Sequence, residues 1–185
     1  VMAAVTLTID GMEVTTNAGK SVLEAALENG IYVPHLCYCP DLTPVGVCRL
    51  CMVDIKGRRA TIACKTVVEP GMVVKTETPE IALIRRVAVE LLLVNHEADC
   101  LTCPKDSECK LQEVAAYVGV TDERLKRLRQ GTRARELDTS NPFFVRNPNR
   151  CVYCGICVRA CEEINGVSSA VWGASTTAVC ISASV

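Results

Sequence analysis

The amino-terminal stretch changes from a strand pattern to a helical one. Residues 5–9 alternate between aliphatic side chains and threonine, and an Asp-Gly pair follows them. Successive side chains of a strand lie on opposite faces and Asp-Gly favours a tight turn, so this stretch predicts a β-hairpin over residues 5–19. Ser21 and Glu24 then have the spacing of a capping box ahead of an apolar helical face, which ends at the Asn-Gly pair at 29–30.

Short alternating segments return farther along the chain. Residues 51–56 and 59–64 flank a glycine, and residues 72–75 follow a Pro-Gly pair, which predicts a second hairpin and one further strand. A proline-framed loop before this hairpin carries several cysteines. Within that loop, Gly46 marks a place where the backbone and its amides can closely approach a bound group. Hairpin, helix, cysteine loop and hairpin together predict a small β-grasp-like unit.

From Thr78 onward the apolar period becomes helical. Thr78 can cap a helix that has Pro79 at its first position. The residues expected to form its buried stripe are Ile81, Ile84, Val87, Leu91 and Val94, widened by Ala88 and Leu92. Arg85, Arg86 and Glu90 are expected mainly off this stripe.

Two shorter helices and a break follow. Ser107 is expected to cap a helix that ends before Gly119, and Thr121 is expected to cap another that ends before Gly131. Two Asn-Pro pairs then interrupt the chain between residues 141 and 148. This interruption favours a boundary ahead of the last cysteine group.

Composition adds one abnormal feature, the cysteine content. The chain has 13 cysteines among 185 residues, only 4 % aromatic residues and a formal net charge of −1. Such a balance is unlike that of a protein that binds nucleic acid through bulk charge. No apolar run reaches the roughly 18 residues that indicate a membrane-spanning helix. Because large rings are few, we expect the cysteines to organise the interior.

Cysteines can serve disulfides, zinc sites or iron–sulfur clusters. Disulfides need an oxidising compartment. Residues 1–30 show a strand pattern instead of the charged and apolar regions of a secretory signal. We therefore expect a cytoplasmic protein with reduced thiols, and metal is the better explanation of the cysteines.

The spacing of the last main cysteine group separates iron–sulfur from zinc. Cys151, Cys154, Cys157 and Cys161 form the run C-x2-C-x2-C-x3-C. In this run a tight loop places three thiolates on one cubane, while the fourth cysteine lies on the following helix and faces elsewhere. Zinc motifs use pairs of ligands instead. A zinc-bound structural module for protein interaction remains the weaker alternative.

Three stretches of the chain resemble a known family. They are CYCPDLTPVGVCRLC at 37–51, ELLLVNHEADCLTC at 90–103 and NRCVYCGICVR at 149–159. Their order is similar to that in the amino-terminal part of the large iron–sulfur subunit of respiratory complex I. The same module occurs in the diaphorase iron–sulfur subunit of NAD-linked hydrogenases, in iron-only hydrogenases and in NAD-linked formate dehydrogenases. The resemblance covers residues 4–165.

The resemblance implies ligands for the first two clusters. The residues implied for a [2Fe–2S] cluster are Cys37, Cys48, Cys51 and Cys64. Those implied for a [4Fe–4S] cluster with one imidazole ligand are His96, Cys100, Cys103 and Cys109. Because imidazole is neutral, the second cluster should have a higher reduction potential than an all-cysteine cubane. Cys39 and His35 receive no ligand role.

The third cluster departs from the family. Cys151, Cys154 and Cys157 match its second [4Fe–4S] site. Two-cluster relatives continue to another ferredoxin motif that supplies the fourth ligand, and this motif does not follow here. We therefore expect Cys180, which is remote in sequence, as the fourth ligand, with Cys161 as the alternative.

The predicted fold class is α+β. A β-grasp [2Fe–2S] ferredoxin-like domain is expected over residues 1–78. A small helical [4Fe–4S] domain, with one histidine and three cysteines as its ligands, is expected over residues 79–140. A partial ferredoxin-like [4Fe–4S] segment is expected over residues 141–185. One [2Fe–2S] and two [4Fe–4S] clusters are thus the implied cofactors.

The implied function is one-electron transfer. By resemblance, the chain is an iron–sulfur subunit of a multi-subunit NAD(H)-linked oxidoreductase of hydrogenase, formate dehydrogenase or complex I type. Its partners would be a flavin/NAD(H)-binding subunit and a second redox subunit, in the cytoplasm or in a membrane-associated complex. The sequence has no dinucleotide fingerprint, P-loop or catalytic constellation, so we expect no catalytic residue, nucleic-acid partner or transmembrane segment. A free-standing ferredoxin-like carrier is the alternative.

Overall fold

A five-stranded mixed sheet forms the first part of the molecule. The computed structural model describes residues 3–97, 99–129, 134–140, 142–143 and 145–166. The strands are β1 (Ala4–Ile9), β2 (Met12–Asn17), β3 (Met52–Ile55), β4 (Thr61–Ile62) and β5 (Val73–Lys75). Their order in the sheet is β2-β1-β5-β3-β4. β1 pairs with β2 in antiparallel fashion and with β5 in parallel fashion, so the two predicted hairpins lie on either side of β5.

One helix covers this sheet. Helix α1 (Val22–Glu28) buries Leu23 and Ala26 against strand residues such as Leu7 and Val53. Its start has the predicted capping box: the Glu24 amide donates to Ser21 Oγ at 3.2 Å, and the Ser21 amide donates to Glu24 Oε2 at 2.6 Å. These reciprocal bonds satisfy two amides that a helix start leaves open.

Helices dominate the second half of the chain. They are α2 (Pro79–Val94), α3 (Lys110–Val118), α4 (Asp122–Leu128) and α5 (Ile156–Arg159). A π-helical turn, Ala160–Ile164, continues α5, and short 3-10 turns occupy Ala63–Lys65, Cys100–Thr102 and Pro148–Arg150. Among the described helices, none has the length and apolar character required to cross a bilayer.

The buried face of α2 differs from the predicted stripe. Ile81 is buried as expected, but Arg85 and Glu90 are only 1 % and 2 % exposed, whereas Leu91 is 62 % exposed. The two charged residues are buried because each has a partner. Arg85 reaches backbone carbonyls beside β3, and Glu90 accepts a hydrogen bond from Arg124 Nε at 2.8 Å. Specific polar contacts therefore rotate the helix away from its purely apolar orientation.

The predicted cap of α3 is also wrong. The helix begins at Lys110 after Cys109, and no side chain caps it. Ser107 instead has a positive φ of 67°, which places it in a left-handed turn before the helix. The end predicted at Gly119 is confirmed, since Gly119 adopts the left-handed conformation and its amide bonds back to Ala115 and Ala116.

Candidate metal centres

Four cysteines converge at one end of the first unit. Cys37 and Cys48 lie in the loop after α1, and their sulfur atoms are 3.3 Å apart. Cys51 directly precedes β3, and Cys64 lies in the 3-10 turn after β4, where the two thiols hydrogen-bond to each other. Cys37, Cys51 and Cys64 are buried. The structure thus brings together all four residues of the first predicted ligand set, arranged as two pairs.

Each pair contains one thiol that favours the thiolate form. The hydrogen bond from Cys37 lowers the pKa of Cys48 to about 5, while the same bond and then burial raise the pKa of Cys37. The bond from Cys51 likewise lowers the pKa of Cys64. Thiolates are the form in which cysteine binds metal. Two thiolate-prone pairs match a [2Fe–2S] cluster, in which each iron takes two protein ligands.

Backbone amides surround the first site. The amides of Leu50, Leu36 and Cys37 hydrogen-bond to the Cys48 sulfur and further lower its pKa. Gly46 has a φ of 69°, and a Cβ placed there would lie 3.1 Å from the Ile62 side chain. The loop therefore closes tightly against the second hairpin at Gly46.

A buried arginine from α2 holds the segment around Cys51. Arg85 Nε donates to the Leu50 carbonyl at 2.9 Å, and Nη2 donates to the Met52 carbonyl at 2.8 Å. Nη1 pairs with Glu77 at 2.6 Å. Because these carbonyls belong to the residues on either side of Cys51, the contact fixes a predicted ligand of the first site from the helix that leads to His96.

The second predicted set lies at one end of a helix pair. Tyr117, near the end of α3, donates to Glu77, which precedes α2, so α2 and α3 run antiparallel. Cys109 at the start of α3 and His96 after the end of α2 therefore share the opposite end of the pair. Cys100 and Cys103 lie in the connection, with the Cys103 amide bonded to the Cys100 carbonyl at 3.0 Å.

His96 has an unused ring nitrogen. Its Nδ1 is buried and has no hydrogen-bond partner among the described residues. Burial, and then the positive charges of Arg129 and Arg150, lower the pKa of His96, which favours the neutral ring that binds metal. A buried polar atom without a partner is costly, so the His96 environment fits a ligand role.

The third set forms a tight loop. Tyr153 and Gly155 have positive φ values of 53° and 70°, and the Tyr153 amide donates to Cys151 Sγ at 3.4 Å. Burial raises the pKa of Cys154 and the Ile156 amide opposes this shift, while the nearby thiolates of Cys157 and Cys151 add to it. The three thiols are therefore close enough to interact, as a cubane loop requires.

The two candidates for the fourth ligand of the third set are Cys161 and Cys180. Cys161 is 1 % exposed, lies in the π-helical turn and already interacts within the protein. Cys180 lies outside the described residues. Within the described part of the chain, no three His, Cys, Asp or Glu side chains have the geometry of a single-ion site.

The two residues without a predicted ligand role have structural surroundings. His35 Nδ1 contacts the Val33 carbonyl at 2.9 Å, and its ring packs edge-on against Tyr38. The Cys39 carbonyl accepts a bond from the Leu42 amide. Both residues therefore fit the loop framework.

One apolar cluster contacts all three sets. Its buried members are Leu36, Leu50, Val89, Leu111 and Val114. Partly buried residues packed against it include Cys48 of the first set, Cys109 of the second and Val152, which lies within the loop of the third. The three candidate sites therefore surround a common apolar interior.

Sequence patterns did not indicate three arginines that join these sites. Arg85 acts on the first site, as described above. Arg150, next to Cys151, donates to Glu97 at 3.0 Å and to Thr102 Oγ1 at 3.0 Å, which links the third set to the second. Arg159 contacts the first loop. The available signal was position: Arg85 is one helical turn from both Ile81 and Val89, Arg150 directly precedes the C-x2-C-x2-C-x3-C run, and Arg159 lies within it.

Three family models match successive parts of the chain, in the same order as the three cysteine sets. Residues 2–79 match a 2Fe-2S iron-sulfur cluster binding domain. Residues 85–124 match the NADH-ubiquinone oxidoreductase-G iron-sulfur binding region, and residues 144–163 match a 4Fe-4S binding domain. These matches confirm the predicted α+β fold class and the predicted cofactor classes.

A solved structure is similar to this chain in both fold and sequence. A crystal structure of an NAD⁺-reducing [NiFe]-hydrogenase in the H2-reduced state superimposes with a TM-score of 0.79 and 34 % identity, over 91 % of this chain and 70 % of that one. The chain belongs to the complex I and NAD⁺-reducing hydrogenase family of iron–sulfur modules. This membership confirms the family expected from the three matching stretches.

Curated members of this family are much longer. A G-type subunit of NADH-quinone oxidoreductase from Rhizobium meliloti is 40 % identical over 86 % of this chain and 19 % of its own length. NADPH-Fe(3+) oxidoreductase subunit alpha of Geobacter sulfurreducens is 36 % identical over 89 % of this chain and 19 % of its own length. The chain thus spans about a fifth of these relatives.

Proposed function

We propose that the chain is an electron-transfer module of a multi-subunit NAD(H)-linked oxidoreductase. The observation that carries this proposal is the apolar cluster of Leu36, Leu50, Val89, Leu111 and Val114. Cys48 of the first set, Cys109 of the second and Val152, which lies between Cys151 and Cys154 of the third, pack against it. A shared dry interior keeps the three sites close together. Short separation and low solvent exposure are what a relay of single electrons needs.

The proposed ligands are those of the three sets. Cys37, Cys48, Cys51 and Cys64 hold a [2Fe–2S] cluster. His96, Cys100, Cys103 and Cys109 hold a [4Fe–4S] cluster. Cys151, Cys154 and Cys157 hold a second one, with Cys180 as the proposed fourth ligand because it is remote in sequence, and Cys161 as the alternative.

The chain's own residues prepare the first site for its cofactor. Pairwise hydrogen bonds lower the pKa of Cys48 and Cys64, so thiolates form readily. Amides of the loop donate to the Cys48 sulfur, and Arg85 fixes the segment that contains Cys51. When bound, the clusters supply one-electron redox chemistry, and hydrogen bonds to sulfur and burial adjust their potentials.

The proposed partners are a flavin/NAD(H)-binding subunit and a second redox subunit. Support comes from the relatives, which are subunits of NADH-quinone oxidoreductases or belong to an NAD⁺-reducing hydrogenase. Exposed apolar side chains on α2, Leu83 and Leu91, and Leu101 in the following turn provide surface that subunit contacts can bury. A module of this kind works in the cytoplasm or at the cytoplasmic side of a membrane-associated complex.

Iron analysis tests the proposed cofactors. Anaerobically isolated protein should contain about ten iron atoms and a matching amount of acid-labile sulfide per chain, and dithionite reduction should produce electron paramagnetic resonance (EPR) signals of both cluster types. Colourless protein loaded with zinc would contradict the proposal.

Single variants test the ligands. Cys48→Ser should abolish the [2Fe–2S] signal, while the matched variant Cys39→Ser, in the same loop, should keep it. Cys180→Ser should reduce the iron bound at the third site more than Cys161→Ser does. Equal loss from Cys39→Ser and Cys48→Ser would contradict the assignment of the first site.

Affinity isolation from the native host tests the partners. The chain should elute as part of a larger complex, together with a flavin-containing subunit that oxidises or reduces NAD(H). Elution near the mass of the chain alone, with full iron content, would instead favour a free-standing carrier.

A further inference from the structure

A buried arginine connects the third cysteine motif to the first site. Arg159 lies in α5, between Cys157 and Cys161, and is only 7 % exposed. Its Nη1 donates to the Thr43 carbonyl at 2.8 Å, and its Nη2 donates to the Cys37 carbonyl at 2.5 Å. The guanidinium therefore lies against the backbone of a proposed [2Fe–2S] ligand that is 122 residues away in sequence.

A second contact strengthens the same connection. The Thr43 amide donates to Glu163 Oε2 at 2.7 Å, and Glu163 lies in the π-helical turn that continues α5. Arg159 and Glu163 thus bind the carbonyl and the amide of the same residue, Thr43. These contacts are all that is needed to dock α5 on the loop that contains Cys37 and Thr43. Glu163, unlike Arg159, is exposed to solvent.

Docking leaves one polar atom of Arg159 unexplained. Its Nε is buried and has no hydrogen-bond partner among the described residues. A buried N–H without an acceptor costs free energy, and hydrogen bonds from charged donors are the strongest ones. No cysteine sulfur of the described residues lies within hydrogen-bond reach of Nε, so the acceptor that the site would provide is an inorganic sulfide of the cluster bound there.

We propose that Arg159 is a positioning residue of the [2Fe–2S] site that fixes the Cys37 segment and donates its Nε–H to a sulfur atom of that site. The proposal rests on the proposed function, which places a cluster on Cys37. We assign the hydrogen bond from Nε to the first site and not to the third, because both Nη groups of Arg159 bind the first loop. A buried positive charge and a hydrogen bond to sulfur favour the reduced, more negative cluster, so Arg159 raises its reduction potential.

Redox titration followed by EPR tests this role. In Arg159→Gln, the ratio of reduced to oxidised [2Fe–2S] cluster at a fixed potential should fall about tenfold, which corresponds to about 59 mV for a one-electron couple. Arg159→Lys keeps the charge but not the forked donor set, so its shift should be smaller. The potentials of the two [4Fe–4S] clusters should change less in both variants.

Two control variants separate tuning from docking and from general charge. Glu163→Gln weakens the hydrogen bond from the Thr43 amide, on the same loop, without removing a buried charge. Arg58→Gln removes a positive charge from an exposed ion pair with Glu69. Both should leave the [2Fe–2S] potential unchanged. A shift in Glu163→Gln equal to that in Arg159→Gln would show that docking alone explains the effect, and would overturn the proposal.

A variant that loses its clusters has no potential to measure. An isotope measurement on the wild-type chain then tests the same hydrogen bond without that substitution. With arginine labelled with ¹⁵N at Nε, pulsed EPR of the reduced [2Fe–2S] signal should show a nitrogen coupling, and Arg85→Met, which removes the other arginine Nε described beside the site, should retain it. Absence of the coupling, or an Arg159→Gln shift confined to a [4Fe–4S] cluster, would overturn the proposal while the iron content still supports the proposed function. Absence of iron would overturn the proposed function itself.

Discussion

His96 shows how a single atom can distinguish a ligand from a structural residue. Both histidines of the chain lie near cysteine motifs, but their surroundings differ. His35 Nδ1 contacts a backbone carbonyl, whereas His96 Nδ1 is buried without a partner among the described residues. The spacing to Cys100 predicted a ligand role for His96, and the unused nitrogen supports it.

Replacing His96 should therefore change one cluster selectively. His96→Cys exchanges a neutral ligand for an anionic one, so the reduction potential of one [4Fe–4S] cluster should fall. Redox titration monitored by EPR measures this change. His35→Gln is the matched control and should leave both [4Fe–4S] potentials unaltered. If His96→Cys leaves every potential in place, the imidazole is not a ligand.

At the scale of residues, the sequence indicates the predicted metal-ligating side chains better than the residues that hold them in place. The ligands were implied by the resemblance of the cysteine motifs to a known family, and spacing alone indicated a cubane loop only at Cys151, Cys154 and Cys157. Arg85 and Arg159 could not be predicted in the same way. These arginines donate hydrogen bonds to the carbonyls of Leu50, Met52, Cys37 and Thr43. Only the folded chain brings those carbonyls within reach.

At the scale of elements, the cap of α1 shows strong local coding. Hydrogen bonds from Ser21 and Tyr38, together with Lys20, hold the pKa of Glu24 below its ordinary value, although burial alone would raise it. A carboxyl with a depressed pKa stabilises the fold above its unfolded pKa, and this contribution is lost as pH falls through the folded pKa.

Removing this carboxylate should destabilise the first unit modestly. Glu24→Gln keeps an acceptor for the Ser21 amide but loses the charge at the helix start, so it should lower the free energy of unfolding by about 0.5 kcal/mol. The difference from wild type should stay constant between pH 8 and pH 6, where Glu24 is charged in both states. Urea unfolding followed by circular dichroism measures it. Glu13→Gln, on the exposed side of β2, should change the stability by less than half as much.

Helix α2 shows where local coding ends. Its bounds follow from Thr78 and Pro79 and were predicted correctly. Its orientation was not, because a helical period treats Arg85 as a surface residue, whereas the two carbonyls beside Cys51 draw it into the interior. An apolar stripe therefore predicts that a helix packs, but polar partners on another element can decide which face it buries.

Loss of Arg85 should weaken both the fold and the first site. Arg85→Met leaves the buried carbonyls of Leu50 and Met52 without donors, at about 1–3 kcal/mol for each unsatisfied group. We expect a lower unfolding temperature and faster loss of the [2Fe–2S] signal under a chelator. Arg86→Met, next in sequence but exposed, is the control. Equal behaviour of the two variants would show that the Arg85 contacts are unimportant.

At the scale of the whole molecule, the three cysteine sets share one interior. The sequence predicted three successive units, and the family matches follow the same order. The common apolar cluster could not be predicted, since it joins Leu36 and Leu50 of the first unit to Val89 of α2 and Val114 of α3. Such contacts between distant segments depend on docking and leave no periodic signal in the chain.

This shared interior should make the three sites fail together. Leu50 is 0 % exposed and lies between Arg49 and Cys51 in the first unit, so Leu50→Ala should destabilise the protein by about 2–5 kcal/mol. Because Leu50 belongs to the cluster that lies beside all three sets, heating in small steps should weaken all three EPR signals over the same lowered temperature range. Leu83→Ala, at a position that is 59 % exposed, should leave that range unchanged. Selective loss of the [2Fe–2S] signal in Leu50→Ala would instead show that the first unit unfolds independently of the other two.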